Sequence, residues 1–269
     1  MSAHSHLHHA EDANMGVLPQ LILALPFLLA LAVYLFCAAA SKKKYRPWPI
    51  HRTACWVIGT CFAALSVAGP LASKGHTDFT MHMYGHLFLG MLAPLLMVLA
   101  APMTLFLRTV SVPMARRLTK ILASRPLQML THPITAALLN IGGLWLLYTT
   151  GLFTLMHDNT LLHLFVHIHV FLAGYLFTAS MIYIDPVPHR FSYLYRSIIL
   201  VLALAGHGIL AKHLYANPPE GVAVEQAQTG SMVMYYGGDM VDIVLIFILC
   251  LQWFRATRPK TAVQNADSR

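Results

Sequence analysis

Charge is scarce in this sequence. Of its 269 residues only 10% are Asp, Glu, Lys or Arg, against roughly 25% in an ordinary soluble domain. With 57% hydrophobic residues and a mean hydropathy of +0.61, the chain lacks the polar surface of a soluble enzyme, a disordered segment or a nucleic-acid binder. Cysteine is scarce too. Cys37, Cys55, Cys61 and Cys250 form no CxxC or CxxxC pair, which argues against a disulfide scaffold and a thiolate metal site. No nucleophile motif, phosphate loop or dinucleotide fingerprint is present, so the expectation is a protein that is not an enzyme. Nor does a positively charged stretch precede the first apolar run. That run reads as an uncleaved span with its N-terminus outward, not as a signal peptide. No internal repeat of useful strength is apparent.

What the chain has is long apolar runs. A hydrocarbon core about 30 Å thick takes about 20 helical residues, and seven stretches reach that length: 17–40, 52–72, 79–107, 133–155, 160–184, 193–215 and 232–254. They are bounded by segments such as Ser41-Lys42-Lys43-Lys44 and Asn217-Pro218-Pro219. Pro94 and Pro102 in the third predict a kinked or tilted helix. The expected fold class is an all-α membrane protein, a seven-transmembrane helix bundle over 17–255. A His-rich extracytoplasmic tail (1–16) precedes it and a cytoplasmic tail (256–269) follows it.

Orientation follows from the cations. Lys42, Lys43, Lys44, Arg46 and Arg52 follow the first span, and Arg108, Arg116, Arg117, Lys120 and Arg125 follow the third. Arg190 and Arg196 lie between the fifth and sixth, and Arg255, Arg258, Lys260 and Arg269 follow the seventh. Only Lys74 and Lys212 fall near the other face. Lys and Arg mark the cytoplasmic side, so the expectation is N-terminus outside, C-terminus cytoplasmic, in a bacterial inner membrane. The net charge of +8 is then a record of topology and not an affinity for nucleic acid.

Histidine is the residue in excess, 16 against 10 acidic side chains. On this topology His51, His132 and His189 fall at the cytoplasmic side and read as interfacial, while the other thirteen fall in the outer tail, the outer loops or the outer halves of spans. The third span enters near Phe79, so at about 1.5 Å per residue His82 and His86 lie roughly 5–10 Å below the outer boundary. They are four apart and share a helical face. His163 and His167 repeat the device in the fifth span, His207 falls one or two turns below the outer end of the sixth, and Asp239 and Asp242 reach similar depth in the seventh. His169 points to another face. Two such pairs on facing helices can supply four imidazole nitrogens to one ion. His207, Met234 and Asp239 are secondary candidates, Asp239 either as ligand or as the group that holds a His tautomer.

Imidazole suits Zn, Cu, Fe and Ni, while Met81, Met83, Met232 and Met234 nearby favour Cu(I). Polar groups at this depth are costly unless paired or functional. Three other readings stay open on the residues alone: polar packing between helices, a haem-binding b-type cytochrome, and a proton-linked transporter using Asp239, Asp242 and His207. Lys212 near an outer helix end argues against a retinal Schiff base. The tract His4-Ser5-His6-Leu7-His8-His9 is a separate candidate for collecting metal.

Three motifs carry a resemblance. The run Met81-His82-Met83-Tyr84-Gly85-His86-Leu87 is followed by Gly90-Met91-Leu92-Ala93-Pro94-Leu95-Leu96 and Ala101-Pro102-Met103-Thr104-Leu105. His163 and His167 are followed by Asp185-Pro186, and Glu225-Gln226 by Gly230, Met234-Tyr235-Tyr236 and Gly237-Gly238-Asp239. Over most of 75–255 the chain resembles the CtaG-type cytochrome c oxidase assembly factors, with Glu225 where that pattern has Asp. The resemblance implies a role in assembling the oxidase, with copper, Cu(I) favoured, bound near the outer face and delivered to one of its metal centres. Its implied partners are cytochrome c oxidase subunits and the lipid bilayer, with an extracytoplasmic copper chaperone as a further candidate.

Overall fold

The computed structural model describes residues 17–42 and 45–258. It is 83% helix, with no strand among the described residues. In chain order the helices are α1 (Val17–Ser41), α2 (Ile50–Val67), α3 (Pro70–Gly75), α4 (Phe79–Leu99), α5 (Pro102–Thr109), α6 (Val112–Leu122), α7 (Arg125–Leu130), α8 (Pro133–Thr149), α9 (Leu152–Asp158), α10 (Thr160–Met181), α11 (Tyr193–Ala216) and α12 (Val224–Thr257). Six of them, α1, α2, α4, α10, α11 and α12, are long and apolar enough to cross a membrane. The pair α8 and α9, bent by 79° at its junction, makes a seventh if counted as one span. Side chains such as Leu161 and Met240, both about three-quarters exposed, form the apolar exterior that only a lipid surround makes favourable. The chain is thus a multi-pass membrane protein. The tract His4–His9, Lys43, Lys44 and the segment beyond Arg258 lie outside the described residues.

The spans differ from expectation at their ends, and at the second and third a left-handed residue is the reason. The second stops at Val67, and Gly69 turns with φ +86° before Pro70 starts α3. The third stops at Leu99: Ala101 adopts φ +51° and Pro102 opens a separate helix, so 79–107 is not one kinked rod. The fourth breaks before Gly151. The seventh begins at Val224, well before 232.

These breaks leave backbone groups that no water can satisfy inside a bilayer, and side chains from distant segments take them up. At the α4–α5 break the Tyr34 hydroxyl donates to Ala100 O (3.0 Å) and accepts from Trp48 Nε1 (2.8 Å). Asp185 caps α5 from 81 residues away, accepting from the backbone N–H groups of Met103 and Thr104 and from the Thr104 hydroxyl. The Asp185-Pro186 motif is therefore a helix cap. Within α4, Phe88–Leu92 is a π-turn in which Ala93 N–H reaches back to Phe88 O, and α8 has a second at Leu138–Gly142. Pro94 cannot donate to Gly90 O, and Gly174 lets α10 close directly on that carbonyl.

The structure also contains the repeat that the residues alone did not disclose. A span, a short helix and a second span occur as α2–α3–α4 and again as α8–α9–α10. His76, Asp78, His82 and His86 in the first unit correspond to His157, Asn159, His163 and His167 in the second, 81 residues on in each case. Identical residues are few, so the recurrence shows only when helices and caps are aligned.

Gly174→Ala would place a methyl group into the Gly90 carbonyl, an overpacking cost of about 1–3 kcal/mol. The expected outcome is a thermal midpoint in detergent lowered by several degrees. Gly142→Ala, where a Cβ meets open space, is expected to leave the midpoint unchanged or raise it slightly.

Candidate metal centre

Six histidines from four segments line one cavity of about 40 Å³ at the end of the bundle where α4 and α10 begin. They are His76 after α3, His82 and His86 on α4, His157 on α9, and His163 and His167 on α10. Two equivalent caps set the phase of the helices that present them. Asp78 accepts from the N–H groups of Thr80 (2.7 Å) and Met81 (3.2 Å), and Asn159 accepts from those of Leu161 (3.0 Å) and Leu162 (3.1 Å). The bend before α9 carries His157 to the cavity wall. Gln226 Oε1 accepts from Phe79 N–H (3.3 Å) and ties the start of α12 to the start of α4. Gly230 lies where a Cβ would strike Phe79 and Met83, so the Glu225-Gln226 and Gly230 motif is an instrument of close packing.

The two units face one another through their histidines. His76 of the first stacks on His163 of the second, with ring centroids 4.7 Å apart, and His157 of the second approaches His82 of the first at 6.1 Å. His76 and His157 are 5.7 Å apart. The ring nitrogens are prepared in two ways. His157 Nδ1–H donates to Phe153 O (2.8 Å) and His167 Nδ1–H to His163 O (2.9 Å); since a carbonyl only accepts, Nδ1 carries a proton in each, and Nε2 is the nitrogen through which either ring would ligate. His82 Nε2 shares a hydrogen bond with the Tyr148 hydroxyl (3.0 Å). In contrast, His76 Nε2, His86 Nε2 and both nitrogens of His163 are buried without a hydrogen-bond partner among the described residues. Burial, reinforced by the neighbouring His157, holds the His76 imidazole below its ordinary pKa, so it is neutral at pH 7 and able to ligate.

Unpaired buried nitrogens are costly, and a cation is one group that satisfies several at once. The residues fit such a role in kind: neutral imidazoles, with Met81 also on the cavity wall, suit a soft first-row ion. A space of 40 Å³ admits an ion with a water, whereas organic cofactors occupy pockets of about 300 Å³ or more, so a haem macrocycle does not fit here. Among the described residues no three His, Cys, Asp or Glu side chains already converge as ligands of one ion. His163 and His167 are stacked at 4.0 Å and face each other ring to ring, not lone pair to lone pair.

The expected site residues thus divide. His82, His86, His163 and His167 come together in the cavity. His207 lies in a second, deeper cavity, which His86 also lines. Met234 is fully buried in an apolar cluster with Phe79, Met83 and Leu210, and Asp239 is exposed on the outer face of α12. His169 turns away, with Nε2 on Leu139 O (3.1 Å). His51 and His189 are exposed, and His132 is half-buried against Phe191 and Tyr195. The residue pattern missed His76 and His157. The signal available for them was the spacing His-x5-His-x3-His, which occurs at 76, 82 and 86 and again at 157, 163 and 167.

The model of the cytochrome c oxidase caa3 assembly factor family (Caa3_CtaG) matches residues 32–256. An uncharacterized protein of Mycobacterium bovis is 34% identical over 241 residues, covering 82% of this chain and 36% of the relative. One of Mycobacterium leprae is 29% identical over 229 residues, covering 77% and 35%. The chain therefore spans about a third of the length of the curated relatives it matches. No solved structure matches it.

Removing the cap with Asn159→Ala costs about 1 kcal/mol, expected as a fall of a few degrees in the thermal midpoint. Asn159→Asp retains the acceptor and is expected to restore it.

Proposed function

The chain belongs to the cytochrome c oxidase caa3 assembly factor family, and from that premise we propose that it binds copper at the six-histidine cavity and delivers it to an oxidase metal centre. One observation carries the reading: two copies of a His-x5-His-x3-His segment are folded face to face, leaving buried nitrogens of His76, His86 and His163 unpartnered. Copper(I) is the favoured ion. Neutral imidazoles and the Met81 thioether are soft donors, and no carboxylate lines this cavity. The ligand group is His76, His82, His86, His157, His163 and His167.

The cavity faces outward in this reading, because among the described residues every Lys and Arg except Lys74 and Lys212 falls at the opposite end of the bundle. Delivery needs release as well as capture. A cavity formed by six separable imidazoles serves both, since ligands can be exchanged one at a time. The partners of this reading are oxidase subunits that accept copper, with an extracytoplasmic copper chaperone as donor. No catalytic turnover is needed.

Two measurements test it. In anaerobic competition titrations with Cu(I), the double variant His76→Ala/His157→Ala is expected to bind at least tenfold more weakly, by analogy with the loss of groups that support a metal ligand. Asp239→Asn and Met234→Leu are expected to stay within about twofold, because neither side chain reaches the cavity. Unchanged affinity in the histidine variant removes the site. In a deletion strain, oxidase copper content is expected to fall and to be restored by the wild-type chain but not by that variant; normal copper content without the protein defeats the delivery role.

A further inference from the structure

Below the six-histidine cavity lies a second one of about 30 Å³, enclosed by α4, α8, α10, α11 and α12. His86 lines both. The inner walls carry His207, Asp242, Met91, Asn140 and Thr178. His207 is 4% exposed, and its Nε2, like that of His86, is buried without a partner. Asp242 is 6% exposed, on a span, and makes no ion pair or hydrogen bond among the described residues. A carboxylate so placed in a membrane ordinarily pairs with a counter-charge, and this one has none among the described residues.

The backbone around this cavity is irregular on two sides. Gly90 and Met91 come from the π-turn of α4, and Asn140 and Ile141 from the π-turn of α8. Such turns are rare and concentrate at functional sites. Glycines make room for the donors. A Cβ on Gly238 would meet His207 Cε1 at 2.6 Å and the Met91 methyl at 3.6 Å, and one on Gly90 would meet His86 Cε1 at 3.3 Å. Two imidazoles that share an ion at about 2.0–2.1 Å have ring centres about 5–6.5 Å apart. The His86 and His207 centroids are 6.3 Å apart.

We propose that this inner cavity is a second copper site, made by His86, His207, Asp242 and Met91, with His86 shared between it and the outer group. The proposal rests on the copper reading above for the identity of the metal. The donors suit Cu(I) in particular. Two neutral imidazoles and a thioether are soft, and one carboxylate balances one positive charge, which a low-dielectric interior requires. A divalent ion would leave a net charge there. His86, at the boundary, gives copper a ligand common to both positions, so an ion can move between them without passing through hydrocarbon unligated.

The test is anaerobic Cu(I) titration of the purified full chain against a competing chelator. Wild type is expected to bind two equivalents, His207→Ala/Asp242→Asn to keep only the outer one, and His76→Ala/His157→Ala only the inner one. His86→Ala is expected to weaken both. If the inner variant keeps two equivalents at wild-type affinity while the outer variant loses one, the inner site is wrong and the outer reading stands; the converse result leaves the inner site and removes the outer. A fold-preserving variant guards against misfolding. Met91→Leu is close in volume, and X-ray absorption of the fully loaded protein is expected to lose part of its Cu–S scattering. No change in sulfur scattering, or one equivalent in wild type, overturns the proposal.

Discussion

An imidazole inside a bilayer must find its hydrogen bonds, its counter-charge or its metal within the protein, because lipid offers none. Most of the irregular features of this bundle follow from that constraint. Tyr34 and Trp48 satisfy the end of α4, Asp185 caps α5, and Asp78 and Asn159 cap the helices that carry the histidines. At these helix breaks side chains from other segments meet the backbone's polarity. The ring nitrogens are treated differently. Some are tied to carbonyls, as in His157 and His167, and others are left open, as in His76, His86, His163 and His207. The same fold that caps its helix ends from distant segments leaves ring nitrogens of four histidines without a hydrogen-bond partner among the described residues.

Close approach is the second requirement, and glycine supplies it. Gly230, Gly237 and Gly238 form the inward edge of α12, where a Cβ would strike Phe79, Leu87 and His207 respectively. Gly174 does the same for α10 against the Gly90 carbonyl. In lipid, helices gain little from burying apolar side chains against each other, so small residues that admit tight packing carry much of the association energy. These close contacts help to bury the unpartnered nitrogens.

Much of this was legible in the sequence. Apolar length located the spans, and i,i+4 spacing with depth located His82, His86, His163 and His167. What was not legible depends on geometry that periodicity does not encode. His76 and His157 reach the cavity only through the Gly69 turn and the 79° bend before α9. Depth places Asp239 and Asp242 alike, and the sequence reading names Asp239 as the candidate, yet the buried positions of α12 include Gly230, Met234, Gly238, Asp242, Leu245 and Leu249 but not Asp239. Asp239 is one step off that series. Gly230 and Gly238 lie on the same buried series, so their phase along α12 marks Asp242 as the inward carboxylate. The α4–α5 break was hidden for a similar reason: two prolines suggested a kink, whereas a π-turn absorbs Pro94 and left-handed Ala101 ends the helix.

The duplicated units explain the outer cavity but not the inner one. Repeats related in this way commonly place a site at their interface, and the His76–His163 and His157–His82 contacts lie at such an interface. Below it the two units diverge. α4 carries a π-turn one step after its histidine pair, while α10 continues as regular helix and offers only Gly174 to the facing carbonyl. The extra residue of the π-turn brings Gly90 and Met91 to the inner cavity, where His207 and Asp242 stand on α11 and α12, helices outside the repeat. The outer cavity is thus made by two similar halves, whereas the inner one adds two helices from beyond them. The lining changes accordingly, from imidazoles and a thioether without charge to a set containing one carboxylate, and His86 is the residue common to both cavities.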